Sequence, residues 1–203
     1  MQLLIATRNA HKLDEIRSIL QLPGVEIVGA DDVPGLPEVV EDGDTFEANA
    51  AKKAVELAAA SGLLTLADDS GLEVDALDKA PGVYSARYAG EPSDDAANNR
   101  KLLAALDGVA ARTARFRCAM ALATPDGRYE TVDGRCEGRI ELAPRGAEGF
   151  GYDPLFVPDG FDQTFAELDA ASKNRISHRG AALAAAKSTW WDGSRFGQMQ
   201  ESR

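Results

Sequence analysis

Leu63-Leu64-Thr65-Leu66-Ala67-Asp68-Asp69-Ser70-Gly71 is the stretch on which the fold turns. An apolar run of strand length meets two adjacent carboxylates, and a hydroxyl and a glycine follow. Read this way, Leu63 to Ala67 is a buried strand that ends in acids and sets Asp68 and Asp69 at the rim of a sheet. Two like charges side by side cost energy through repulsion. A divalent cation removes that cost, and ligands made only of oxygen suit magnesium, with manganese as the substitute. The same residues also suit a solvated turn in which an aspartate bonds the backbone ahead of it.

Working outward, Leu3 to Ala6 has the pattern of another short buried strand. A helix from about Ala10 to Gln21 follows, with Leu13, Ile16, Ile19 and Leu20 at helical spacing and Asn9 as its N-cap. Val25 to Val28 reads as a strand, and Val33 to Gly43, rich in Pro, Gly and acids, as a loop. Asp44 and Glu47 are spaced as a capping box for an alanine-rich helix, Phe46 to Ser61. Beyond the acids, Leu72 to Leu77 is a possible further strand. Ser93 caps a helix to Leu106, and Phe116 to Leu122 alternates as a strand. Thr124 to Gly127 makes a turn into a hairpin partner, Tyr129 to Val132, and Gly138 to Leu142 reads as one more strand. Asn174 to Lys187 is helical, and the chain after Trp191 is a polar tail. Strands and helices alternate first and hairpins follow, so the fold class is α/β with a mixed central sheet flanked by helices. The 203 residues read as one domain, with a second lobe in the middle portion whose boundaries the pattern does not mark.

Composition narrows the function. Hydrophobic residues are 44% of the chain, enough for a substantial core. Lys and Arg number 22 against 33 Asp and Glu, a formal net charge of −11, which argues against a nucleic-acid-binding surface. It leaves room for a small polyanion, because a local cluster of cations with a metal overrides the global sign. No apolar run is long enough to span a bilayer, and the first residues lack a basic leader. Cys118 and Cys136 have no metal-type spacing and read as reduced thiols, with a cross-strand disulfide left open.

Four constellations could carry chemistry. Thr7-Arg8-Asn9-Ala10-His11-Lys12 lies between a strand and a helix, where backbone amides bind anions and Lys12 adds positive charge. Glu41, in the acidic loop, and Asp69 would hold a cation facing that cradle if the strands are parallel neighbours. Gly149-Phe150-Gly151-Tyr152-Asp153-Pro154 lets an aromatic ring lie flat on a base, or is simply a tight turn with a buried ring. Lys173, Arg175, His178 and Arg179 crowd into seven residues of an acidic protein, which fits recognition of an anion or a carbonyl.

The order and spacing of these segments resemble the inosine triphosphate pyrophosphatase family. Thr-x-Asn-x-x-Lys at 7–12, Ala-Asp-Asp-Ser-Gly-Leu at 67–72, Gly-Phe-Gly-Tyr-Asp-Pro at 149–154 and Ser-His-Arg-Gly at 177–180 carry the likeness. Pro81 to Tyr88 and Thr45 to Ala50 add to it, and it runs from Leu3 to about Lys187. The resemblance implies a two-lobed fold with a cleft and hydrolysis of non-standard purine nucleoside triphosphates (ITP, dITP, XTP) to the monophosphate and pyrophosphate. It implies that Thr7, Arg8, Asn9, Ala10, His11 and Lys12 hold the triphosphate, and that Asp69 is the proton acceptor and, with Glu41, a magnesium ligand. Ser70, Phe150, Gly151, Tyr152, Asp153, Lys173, His178 and Arg179 would bind the rest of the substrate, with Lys53 and Asp68 near the phosphates and metal. Arg8 departs from the family, many of whose members carry Gly there. A cytoplasmic homodimer is implied on the same ground. Two other readings stay open: a related pyrophosphatase acting on modified pyrimidine nucleotides, and a nucleotide-binding regulator.

Overall fold

Gln2–Ile5 forms strand β1, and Leu3, Leu4 and Ile5 are fully buried. The computed structural model describes residues 1–192, so the expected polar tail falls almost wholly outside the described residues. Helix α1, Ala10–Ile19, starts at Asn9, whose side chain accepts from the Lys12 amide. Strand β2 is Glu26–Gly29, and helix α2 is Phe46–Ser61. The α2 cap is Thr45 rather than Asp44, because the Thr45 hydroxyl accepts from the Ala48 N–H. Strands β3, β4 and β5 are Leu64–Val74, Thr113–Ala123 and Tyr129–Ile140, and β6 is Phe156–Pro158. Helix α3 is Asp95–Ala105, capped by Asp94; the Ser93 hydroxyl instead donates to the Ala86 carbonyl.

The six strands are hydrogen-bonded in the order β2-β1-β3-β4-β5-β6. β1 runs parallel to both β2 and β3, and β6 antiparallel to β5, so the sheet is mixed. The main departure from expectation is β3. It does not end at Ala67; it continues through Asp68, Asp69, Ser70 and Gly71 to Val74 as one strand. A strand can carry a buried acid inward where cations neutralise it, and Asp68 has such partners. The separate strands expected at Tyr129–Val132 and Gly138–Leu142 are likewise one strand, β5. The expected helix over 174–187 is two: α4, Ala170–Ile176, and α5, His178–Ala186. They break at Ser177, which is extended at φ −70° and ψ 157°; serine favours helix ends over interiors.

The chain divides into two compact units. Met1–Asp69, Ala119–Gly134 and the segment from Arg179 form the first. Ser70–Cys118 and Arg135–His178 form the second. The first has a core of β1 side chains with Ile16, Leu20, Ala50, Ala54, Leu57, Leu66, Met120, Leu122, Leu183 and Trp190. Burying a side chain of Leu or Ile size contributes roughly 1.5–3 kcal/mol. The second has its own core of Leu72, Val74, Leu102, Leu106, Phe116, Ile140, Leu155, Phe156 and Phe165. Phe116 packs edge-on to Phe156 and stacks on Phe165. Cys118 and Cys136 are both buried and neither forms a disulfide, which closes the disulfide alternative for this structure. Among the described residues no helix is long and apolar enough to cross a membrane.

Candidate active site

Parallel pairing of β1 with β3 aligns Ile5 with Leu66, and the Ala6 N–H donates to the Leu66 carbonyl at 2.8 Å. The turn after β1 and the acids of β3 therefore lie at matching heights on adjacent strands. Within the turn, the Thr7 hydroxyl accepts from the Asn9 N–H and the Asn9 carboxamide accepts from the Lys12 N–H, each at 3.2 Å. These bonds set the first turn of α1, with Ala10 and His11 exposed on it. A helix start of this kind favours an anion. Arg8 is exposed; its guanidinium donates to the Leu36 carbonyl at 3.2 Å and pairs with Asp31 at 3.4 Å.

Asp68 is 1% exposed and lies within 3.1 Å of both Lys12 Nζ and Arg179 Nη2. Burial alone would raise its pKa, but Lys12, Arg179 and Lys53 outweigh burial and hold the carboxyl well below the usual range. Arg179 also reaches Glu15 on α1 at 2.5 Å, so its guanidinium serves two acids. The neighbouring acid has the opposite fate. Burial, then the negative charge of Glu41, push the Asp69 pKa up, against the pull of Lys12, Lys53 and the Asn49 carboxamide. Glu41 is held at 2.5 Å by Lys53. The Lys53 ammonium resists its own burial because Glu41, then Asp68 and Asp69, favour its charged form. The negative charge of the acidic loop thus opposes ionisation of the strand acid.

Among the described residues no group of three or more His, Cys, Asp or Glu is placed to hold a metal by itself. A magnesium-type ion keeps several waters and takes one or two carboxylates plus substrate phosphate oxygens. Glu41 and Asp69, both oxygen donors, fit that description.

In the second unit Lys173, Asp153 and Phe150 form a separate group. Lys173 Nζ lies 2.7 Å from Asp153 Oδ2 and 4.9 Å from the centre of the Phe150 ring. The same carboxylate oxygen accepts from the Phe150 N–H at 2.9 Å. Gly149, at φ +76°, makes this possible, because a Cβ there would sit 2.1 Å from that oxygen. Tyr152 is buried, and its hydroxyl donates to the Ser85 carbonyl at 2.9 Å, so it anchors the loop. The His178 ring stacks on Phe116 with centroids 4.7 Å apart. Ser70 is half-buried on β3.

The structure thus gathers Thr7 to Lys12, Glu41, Lys53, Asp68, Asp69 and Arg179 in the first unit. Ser70, Phe150 to Asp153, Lys173 and His178 belong to the second. Sequence reading missed several supporting residues. Asp95 and Asn99, four apart on α3, grip both backbone groups of Gly151: Asp95 accepts from its N–H at 2.7 Å and Asn99 donates to its carbonyl at 2.9 Å. Asn49 donates to Asp69 at 3.0 Å. Its signal was visible: it is a polar residue on the apolar stripe of Phe46, Ala50, Ala54 and Leu57.

Comparison with known proteins shows the chain's relatives. The Ham1 family model matches residues 3–189. A dITP/XTP pyrophosphatase of Desulforamulus reducens is 57% identical over 185 residues, 90% of this chain and 92% of that protein. One of Geobacter sulfurreducens is 53% identical over 188 residues, covering 92% and 94%. Among solved structures, a HAM1 protein from Coxiella burnetii superposes with a TM-score of 0.86 at 40% identity, covering 93% of this chain and 97% of that one. A nucleoside-triphosphatase, dITP/XTP pyrophosphatase, from Mycobacterium abscessus gives 0.76 at 50% identity, covering 92% and 98%. Matched by the family model over residues 3–189 and by relatives over about nine-tenths of its length, the chain belongs to the Ham1 family.

Proposed function

We propose that the protein hydrolyses non-standard purine nucleoside triphosphates, the ITP, dITP and XTP class, to the monophosphate and pyrophosphate. What supports this most is the split between adjacent acids: Asp68 held ionised against Lys12 and Arg179, Asp69 kept proton-hungry beside Glu41. The dITP/XTP pyrophosphatase activity for which relatives such as the Desulforamulus reducens protein are named supports the same reading. The amides of the Thr7–Lys12 turn and the Lys12 ammonium bind the phosphate tail and offset its charge. Asp68 keeps Lys12 and Arg179 aimed. Asp69 orients water for attack on the α-phosphorus and takes its proton, and general-base help of this kind contributes about 10²–10⁴ in rate. Glu41 and Asp69 would hold magnesium, or manganese in its place, and the bound ion neutralises phosphate charge.

The Lys173–Asp153–Phe150 group and His178 serve the nucleoside. A hypoxanthine or xanthine carbonyl accepts from donors at His178 and Arg179, whereas the adenine amino group meets them donor to donor. Because the Arg179 guanidinium already serves Glu15 and Asp68, His178 carries more of that role. Leaving buried donors unpaired discriminates by about 10⁴ or more. We read the two units as one catalytic domain, working as a homodimer on the cytoplasmic nucleotide pool.

The deciding experiment incubates the purified protein with ITP, with and without magnesium, and identifies the phosphorus products. Pyrophosphate is expected, and only with the metal. Orthophosphate alone would overturn α-attack. A panel adding XTP, GTP and modified pyrimidine triphosphates tests substrate class, and tight binding without turnover would mark a regulator.

A further inference from the structure

We propose that Asn49 is a positioning residue that sets the orientation of the Asp69 carboxylate and joins it to the acidic loop that carries Glu41. The proposal rests on the pyrophosphatase reading above for its consequence in catalysis, and on geometry for the positioning itself. Asn49 is 1% exposed, in the first turn of α2. Its Oδ1 accepts from the Gly43 N–H at 2.7 Å, and its Nδ2 donates to Asp69 Oδ2 at 3.0 Å.

A carboxamide has one accepting end and one donating end, so the two bonds fix each other. Turning the amide over would set NH₂ against the Gly43 N–H and its oxygen against the carboxylate, two repulsive contacts in a buried place. The donor therefore can only face Asp69. The backbone of Asn49 is fixed as well, since its N–H donates to the Thr45 carbonyl at 3.1 Å as the helix begins.

Gly43 shows how tightly the link is drawn. A Cβ there would lie 2.7 Å from Asn49 Oδ1 and 3.0 Å from the Ala48 Cβ. Its φ is not in the left-handed region, so space, not backbone freedom, requires glycine. Asp42 and Glu41, just before it, are tied to α2 through Lys52 at 2.6 Å and Lys53 at 2.5 Å. The start of α2 thus holds the loop by three neighbouring bonds, and one of the three continues to Asp69.

Substitution of a group that orients a reacting or metal-binding side chain typically costs about 10–100-fold. Asn49→Asp keeps the shape and the acceptor for Gly43 and replaces the donor with a repelling charge. It should lower kcat for ITP by about 10–100-fold with KM within about threefold, the split expected when positioning and not ground-state binding is lost. Gly43→Ala, which leaves every polar group in place, should do the same to a lesser degree. A kcat within about threefold of the parent in both folded variants overturns the proposal.

A readout independent of turnover accompanies these. In metal-free protein, NMR should find the Asn49 side-chain amide protons exchanging far more slowly than those of exposed Asn9, and shifted in Asp69→Ala. Exchange as fast as Asn9, or no shift on removal of Asp69, would also overturn it. Protected, Asp69-sensitive protons in a protein that releases no pyrophosphate would refute the pyrophosphatase reading and leave the positioning of Asp69 established.

Discussion

Two buried lysine–carboxylate groups, one in each unit, carry opposite lessons. In the second unit Lys173 and Asp153 balance one for one, with the Phe150 N–H on the same oxygen and the Phe150 ring beside the ammonium. The opposite charges of that pair match, and the group ties Phe150 into its loop. In the first unit Lys12, Lys53 and Arg179 meet Glu15, Glu41, Asp68 and Asp69. The cations outweigh the burial of Asp68 but not that of Asp69. An imbalance of charge, more than the number of charges, marks where chemistry is set up.

Substitutions can break that contrast, beginning with the largest effect. Asp69→Asn should lower kcat by about 10²–10⁴ while leaving substrate binding near the parent value, measured by pyrophosphate release. The same change should make the protein more stable at pH 7. The Asp69 pKa is raised above 3.8 in the fold, so its ionisation costs stability at pH above the raised value. The gain from Asn should shrink as pH falls through that value towards 3.8 and vanish below it, which melting curves across pH would record.

Asp68→Asn should behave in reverse. It leaves Lys12 and Arg179 without their shared counter-charge and should cost about 3–5 kcal/mol in a urea melt, as when one member of a buried pair is removed. The Asp68 pKa is lowered, so its stabilisation is whole above 3.8 and lost as pH falls below it. The variant should accordingly show a flatter acid limb than the parent.

In the second unit, Lys173→Met should raise KM for ITP about tenfold with kcat within about threefold, since the balanced group is read as a binding element. Equal falls in kcat for Lys173→Met and Asp69→Asn would erase the distinction between the groups. The smallest effect is expected at Glu15→Gln, which keeps an acceptor for Arg179 while Asp68 still supplies its counter-charge, and should cost about 1 kcal/mol.

Much of the scaffold was legible because it follows local rules. The alanine-rich run from Phe46 to Ser61 marked α2 to the residue, and alternation marked β4. What failed were breaks and boundaries decided at long range. Asp68 and Asp69 look like a strand end until Arg179, 111 residues away, neutralises the first of them. Ser177 interrupts an otherwise helical pattern, and three-residue β6 is too short to announce itself. The placement of Lys12 beside the strand acids was readable from parallel pairing of the strands. The Asp95–Asn99 grip on Gly151 was not, because residues four apart on a helix look the same whether or not a loop lies against them.

The unbroken course of β3 through both aspartates has one more consequence. Successive side chains of a strand leave on opposite sides, so neighbours in the chain enter different surroundings. A one-residue deletion between Leu64 and Ala67 would trade the surroundings of the pair, delivering the wrong acid to each. Such a frame of placement tolerates conservative change in the strand but no shift along it, and evolution could lengthen the loops around it far more easily than the strand itself.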